Sequence, residues 1–280
     1  MDWHKVKNII IFVLIILNGA LFSVYYRTDA QDKIISSQAR DNVVSILEKN
    51  NISLDKKIIP QPPDYFTGCY LERAVKGNSA FVGKLLGQKY TFDEESGEYR
   101  SAGKRLSIKE GNFDFSDETP KNPPEKDDED GIKEYCLAEM ESMGIDGKLY
   151  VFGGFNYADG SIKAIFSPKL GKYEIFDSYI SFEISKSGIE KISGKNVILA
   201  KNAAGISSRV FSIDSVLLDV PSNELIDKAQ FTKIISIKLG YYMGSSEEKY
   251  SSVLAIPVWQ IAAENGAILY YDARNGKNIA

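Results

Sequence analysis

Ile180-Ser181-Phe182-Glu183-Ile184-Ser185 alternates apolar and polar side chains at every step, and Ile162-Lys163-Ala164-Ile165-Phe166 shows a similar period earlier in the chain. Successive side chains on a strand point to opposite faces, so a period of two predicts antiparallel strands with one covered face. Asp159-Gly160 supplies a turn beside them. A helix is expected just before, over Ile132–Met143. The order then repeats: Ile213–Leu218 reads as a short helix ended by Pro221, and Ile235, Ile237 and Leu239 alternate with Ser236 and Lys238. Strands at Val253–Ile261 and Ala267–Tyr271 follow, joined by the hairpin signal Asn265-Gly266. The expected class is α+β, with two units that each pack a helix on an antiparallel sheet.

Upstream, 114–130 holds eight acids, two lysines and the prolines Pro120, Pro123 and Pro124. Its charge is 2 − 8 = −6 out of a total of −4, so the rest of the chain sums to +2. This composition predicts a solvated acidic, Pro-rich linker or loop, taken as a linker over 117–131. Before it, Phe81–Leu86 reads as a short helix, and Lys89–Phe92, Tyr99–Arg105 and Ser107–Phe113 read as weak strands. Ile35, Ala39, Val43 and Ile46/Leu47 recur at helical spacing up to a stop at Asn50-Asn51.

Ile9 to Tyr26 carries no formal charge: IIIFVLIILNGALFSVYY. As a helix it would extend about 27 Å, close to a hydrocarbon core of about 30 Å. Lys5 and Lys7 precede it, and Tyr25 and Tyr26 stand at its far end, which predicts a cytoplasmic N-terminus and an extracellular remainder. A cleaved signal peptide is the competing reading. Against it stand the length of the run and the acidic middle residue of the best small-residue site, Thr28-Asp29-Ala30. Asn18 would lie near mid-bilayer, and Gly19 and Ser23 form a small-xxx-small spacing that admits a close neighbour helix. Asn18, Gly19, Phe22 and Ser23 are therefore the candidate contacts for a transmembrane partner, the alternative being an Asn18 that snorkels or is merely tolerated and a small-xxx-small spacing that arises by chance. The expected division is a cytoplasmic N-terminus (1–8), a transmembrane helix (9–26), a membrane-proximal extracellular segment (27–116), the linker (117–131) and an extracellular α+β region (132–280).

The chain has a single histidine, His4, on the cytoplasmic side of that span. An outer region without imidazole excludes His-based triads and dyads and His-containing zinc sites there. Ser53/Lys56, Ser101/Lys104 and Ser246/Lys249 have S-x-x-K spacing, but no S-D-N accompanies them. Setting Asp128, Asp130 and Gly131 at calcium-loop positions 3, 5 and 6 puts Lys126 and Leu137 where carboxylates are needed. No phosphate-binding glycine motif and no basic stripe for nucleic acid occurs, and nothing singles out a carboxylate pair for glycoside hydrolysis. No catalytic residue, metal or cofactor is expected. Cys69 and Cys136 would be extracellular, where they form either a disulfide closing a 68-residue loop, at about 4 kcal/mol of stabilisation, or two separate buried thiols. The abundant aromatics, 16 Tyr and 14 Phe, are mostly core, though some could line a groove for a peptide or glycan.

Three stretches together resemble a known family. They are the opening Met1-Asp2-Trp3-His4-Lys5-Val6-Lys7 with its apolar span through Leu17-Asn18, the strand-turn-strand run from Phe155 to Gly194, and the C-terminal end. The last comprises Leu239-Gly240-Tyr241-Tyr242, Ile256-Pro257-Val258-Trp259-Gln260-Ile261 and Tyr270-Tyr271-Asp272-Ala273-Arg274-Asn275-Gly276. They resemble the YycI (WalI) family of membrane-anchored regulators of the WalK/WalR (YycG/YycF) two-component system of low-GC Gram-positive bacteria. The resemblance implies a single-pass protein with an extracellular α+β domain. It also implies transmembrane contacts with a WalK/YycG-like sensor histidine kinase and a YycH-like companion, which tune cell-wall homeostasis. His4, Val6 and the acidic linker depart from the family pattern, and no catalytic residue carries over.

Overall fold

The computed structural model describes residues 3–33, 37–73, 79–109, 112–126, 128–158, 161–223, 231–244 and 252–279. The helices are α1 (Trp3–Lys33), α2 (Ser37–Lys49), α3 (Ser79–Leu86), α4 (Glu129–Met143) and α5 (Ile213–Asp219). Strands before α4 are β1 (Ser53–Leu54), β2 (Tyr65–Arg73), β3 (Thr91–Asp93), β4 (Glu98–Ser101), β5 (Lys104–Lys109) and β6 (Asn112–Asp117). Between α4 and α5 lie β7 (Tyr150–Ala158), β8 (Ser161–Leu170), β9 (Tyr173–Glu174), β10 (Tyr179–Ser185), β11 (Gly188–Lys195) and β12 (Ile198–Arg209). After α5 come β13 (Lys233–Tyr242), β14 (Ser252–Ala263) and β15 (Ile268–Asp272). The α+β class holds, with sheet predominating.

The chain forms two compact units, one of Met1–Asp64, Ser212–Ile237 and Ile261–Ile268, the other of Tyr65–Phe211, Lys238–Gln260 and Leu269–Ala280. In the first, α2 packs against α5. Val43 and Leu47, one turn apart on α2, are buried, as are Ile213, Val216 and Leu217 of α5. The α2 helix stops where expected: Asn51 takes a left-handed conformation at φ 61, one that asparagine tolerates. Here the strand pairing departs from expectation. β1 runs parallel to β13, with Ser53 opposite Lys233 and Leu54 opposite Ile234. On β13 Ile234 and Ile237 are buried while Ile235 is 49 % exposed, so the anticipated alternation through Ile235 does not describe its core face.

The second unit is built on a nine-stranded sheet in the order β3-β4-β5-β6-β11-β10-β8-β7, with β9 on β8. The alternating strands sit at its centre. β10 pairs antiparallel with β8, setting Ile180 opposite Phe166, Phe182 opposite Ala164 and Ile184 opposite Ile162. Phe166 and Phe182 meet edge to face at 5.9 Å, a favoured ring geometry. The Asp159-Gly160 turn lies outside the described residues. α3 lies against β4 and β5, α4 lies against β8, and the two helices touch. In this unit β2 also pairs antiparallel with β12 and with β14.

Three expectations for 89–131 are corrected. Tyr99–Arg105 is not one strand but the end of β4, a turn at Ala102-Gly103 and the start of β5. Both turn residues have positive φ, 42 and 85, which reverses the chain. Ser107–Phe113 likewise spans portions of β5 and β6, which pair with each other. The acidic stretch also does not separate one domain from another. β6 before it pairs with β11 after it, Phe113 opposite Gly194 and Phe115 opposite Ile192, so strands from both sides share one sheet. Its final acids have a local task. Asp128 caps α4 by accepting from the Gly131 amide at 2.8 Å, and Glu129 and Asp130 occupy the first turn, where negative charge meets the positive helix end.

Candidate functional site

The sequence-derived contact residues lie on α1. From Ile10 to Leu17 every side chain is at least 45 % exposed, and Leu21 and Phe22 are 60 % and 66 % exposed. Eight consecutive residues at 100° per residue go round the whole helix, so its apolar surface has no polar side. Asn18 and Phe22 are one turn apart, as are Gly19 and Ser23, and the two pairs form adjoining stripes. Asn18 Nδ2 donates to the Leu14 carbonyl oxygen at 2.8 Å, which satisfies one of its two amide hydrogens within the helix. A Cβ added at Gly19 would meet nothing within 4 Å, so that flank is open to a close approach. Side chains are described for 10–23 of the expected 9–26 span, and among the described residues no helix is long and apolar enough to cross a membrane.

Cys69, on β2, and Cys136, on α4, are both free thiols buried in the core of the second unit. The Cys69 thiol donates to the Ala203 carbonyl oxygen at 3.3 Å. Burial raises both thiol pKa values, that of Cys136 to about 12, with Glu139 adding to the effect. Thiols held protonated in this way are poor nucleophiles and poor metal ligands. Among the described residues no group of three or more His, Cys, Asp and Glu is arranged to hold a metal.

Sequence reading missed a groove of about 390 Å³ in the second unit, a volume within the range of small-molecule sites. Its buried floor comprises Leu85 of α3, Met143 of α4, Phe115 of β6 and Ile189 and Ile192 of β11. The polar margin carries Lys84, Lys104, Lys121, Asp117 and Glu139. A stretch of the supposed linker, Thr119–Asn122, forms one wall. It is held there by Tyr135 on α4, whose hydroxyl donates to the Asn122 carbonyl oxygen. Gly188 permits the close crossing, since a Cβ there would stand 2.9 Å from that same oxygen. Burial, reinforced by Glu139, pushes the Tyr135 pKa up to about 12, so the phenol remains a donor. Lys104 Nζ lies 3.7 Å from Asp117 and 5.9 Å from the centre of the Phe115 ring. The walls come from separated segments, and Pro120 with Lys121 was the one local cue, indistinguishable from a solvated loop.

A family model described as YycI protein matches residues 30–274. No curated protein matches the sequence. Among solved structures, an uncharacterized protein from Eubacterium rectale aligns at 10 % identity and TM-score 0.45, covering 86 % of this chain and 98 % of the other. The Bacillus megaterium YpeB C-terminal domain aligns at 9 % identity and TM-score 0.36, covering 87 % and 95 %.

Proposed function

This chain belongs to the YycI family, a family of regulators in the WalK/WalR system, and from that premise we propose that it is a non-enzymatic, membrane-anchored regulator of a sensor histidine kinase. In this reading α1 crosses the bilayer once over 9–26, with the N-terminus cytoplasmic and the remainder extracellular. Its transmembrane contacts are with the kinase and a YycH-like companion, through Asn18, Gly19, Phe22 and Ser23. The observation that carries the reading is the apolar surface of α1, exposed on every side. A helix apolar all round is stable when buried in protein or in lipid. On its surface the bare Gly19 flank permits a backbone approach, and the Asn18 side-chain oxygen offers an acceptor to a neighbouring helix. Interhelical polar contacts are worth roughly 0.6–2 kcal/mol, the size of a typical coupling between two states of a bistable partner.

The test is co-purification of the kinase with wild type and with the double variant Asn18→Leu, Gly19→Leu from the same membranes. Association should fall by about threefold to thirtyfold, the range those energies span. Association undiminished in the variant overturns the intramembrane mechanism.

A further inference from the structure

The groove of the second unit has an unbalanced set of charges. Lys104 stands 3.7 Å from Asp117. Glu139 accepts from the Ser142 hydroxyl at 3.1 Å. Lys84 and Lys121 have no carboxylate within ion-pair distance among the described residues, and both are exposed at the margin. Lys84 has a second task, because its ammonium lies over Gly144, the left-handed cap that ends α4, where a positive charge suits the helix terminus. Lys121 has none. It stands in the wall that Tyr135 fixes through the adjoining Asn122 carbonyl, so its backbone is positioned although its ammonium is unpaired.

Beneath these cations lies a floor of buried apolar side chains, Leu85, Phe115, Met143, Ile189 and Ile192, facing an open space of about 390 Å³. We propose that the groove binds a small amphiphilic anion, an oxyanion head on a short apolar tail. The head lies by Lys121 and Lys84, beside the Thr119 hydroxyl, and the tail lies on the floor. The acids at the margin do not oppose this. Asp117 is next to a lysine, and with Glu139 counted the three lysines and two acids of the margin still sum to 3 − 2 = +1. Each methylene buried on the floor should tighten binding roughly fourfold. This inference is independent of the kinase reading, which concerns α1 alone.

The experiment is calorimetric titration of the full chain, in nanodiscs of zwitterionic lipid, with hexyl phosphate, hexanol and inorganic phosphate. Hexyl phosphate should saturate, at least about tenfold more tightly than either half alone. Butyl, hexyl and octyl phosphates should strengthen in that order. Lys121→Gln, which leaves the α4 cap intact, should weaken hexyl phosphate about tenfold without changing the melting temperature or the chain-length trend. Discs doped with phosphatidic acid separate the two sources of such a head: competition identifies a membrane lipid, and its absence a free soluble anion. The proposal is overturned if no saturable heat appears up to about 10 mM, if hexanol binds as well as hexyl phosphate, or if Lys121→Gln leaves affinity unchanged.

Discussion

The side chain of Asp177 accepts a hydrogen bond from the backbone amide of Gly244 at 2.8 Å, across 67 positions of sequence. The same carboxylate accepts from the Met243 amide at 3.0 Å and from Asn196 Nδ2 at 3.3 Å. Asn196, in a left-handed conformation at φ 46, accepts at its carbonyl oxygen from the Ser178 hydroxyl at 2.8 Å and at its side-chain oxygen from the buried Arg73 guanidinium at 3.4 Å. One carboxylate thereby ties the segment before β10, the β11–β12 turn and the end of β13 into a single buried network.

Removing that carboxylate leaves two main-chain amides without their acceptor. Asp177→Ala should destabilise the protein by about 2–4 kcal/mol, since an unsatisfied buried donor costs about 1–3 kcal/mol. Asp177→Asn, which retains one oxygen, should cost less. Urea unfolding of both variants measures the difference, and equal losses would contradict the role given to the oxygen.

Burial raises the Asp177 pKa above 3.8, outweighing the amides of Met243 and Gly244, which act in the opposite sense. The folded state therefore binds this proton more tightly than the unfolded state. Its contribution is fully present below about 3.8 and declines as pH rises through the folded-state value. Compared with Asp177→Asn, wild type should lose stability over that window and run parallel above it. Stability curves measured from pH 3 to 7 check the sign.

Glycine at 240 is required by packing. A Cβ there would stand 2.6 Å from the Glu174 carbonyl oxygen, a main-chain atom, and 2.5 Å from the Phe176 ring. Gly240→Ala should cost about 1–3 kcal/mol as an overpacking substitution. Gly83 in α3 is the opposite case, with nothing within 4 Å of an added Cβ. Gly83→Ala should stabilise by roughly 0.5–1 kcal/mol through helix propensity. Thermal melts of the two variants should move in opposite directions.

The two cysteines should react only on unfolding. Cys136 is fully buried, with its pKa at about 12, and Cys69 is 3 % exposed with its pKa raised. A thiol reagent at pH 8 should label neither in the folded protein within minutes and both in denaturant. Identical mobility on reducing and non-reducing gels is expected, and a faster-migrating oxidised band would reveal a disulfide.

Surface ion pairs should count for little. Arg105 and Glu118 form a pair whose side chains are 52 % and 58 % exposed. Glu118→Gln should change stability by less than about 0.5 kcal/mol, and salt should reduce even that. Denaturation at low and high ionic strength checks both statements.

Where a residue's neighbours in sequence determine its state, sequence reading located the element. The alternation through Ile180, Phe182 and Ile184 corresponds to β10, the apolar cluster Phe81–Leu86 lies within α3, and Asn265-Gly266 is the turn before β15, Gly266 having φ 87. Where two short strands are joined by a tight turn, it failed. Ala102-Gly103 lacks the Asn-Gly or Asp-Gly signature that marks such a reversal, so Tyr99–Arg105 read as one strand. The candidate contact residues on α1 were proposed from an uncharged run and a small-xxx-small spacing, both of them local patterns. The groove was not legible, because its walls converge from 84–85, 102–122, 135–143 and 189–192 only when the sheet forms.

The sequence by itself determined the α+β class, the apolar α1 and the absence of imidazole beyond His4, all properties of composition or of periods of two and 3.6 residues, while particular stretches at both ends and the middle carried the resemblance to the YycI family. Tertiary structure alone decided that β6 and β11 join across the acidic stretch, that β1 pairs in parallel with β13, and that Asp177 serves Met243 and Gly244. The reason is physical. Side-chain direction along a strand or helix follows from the backbone repeat, whereas pairing partner, desolvation and charge balance depend on which distant segments the core brings together.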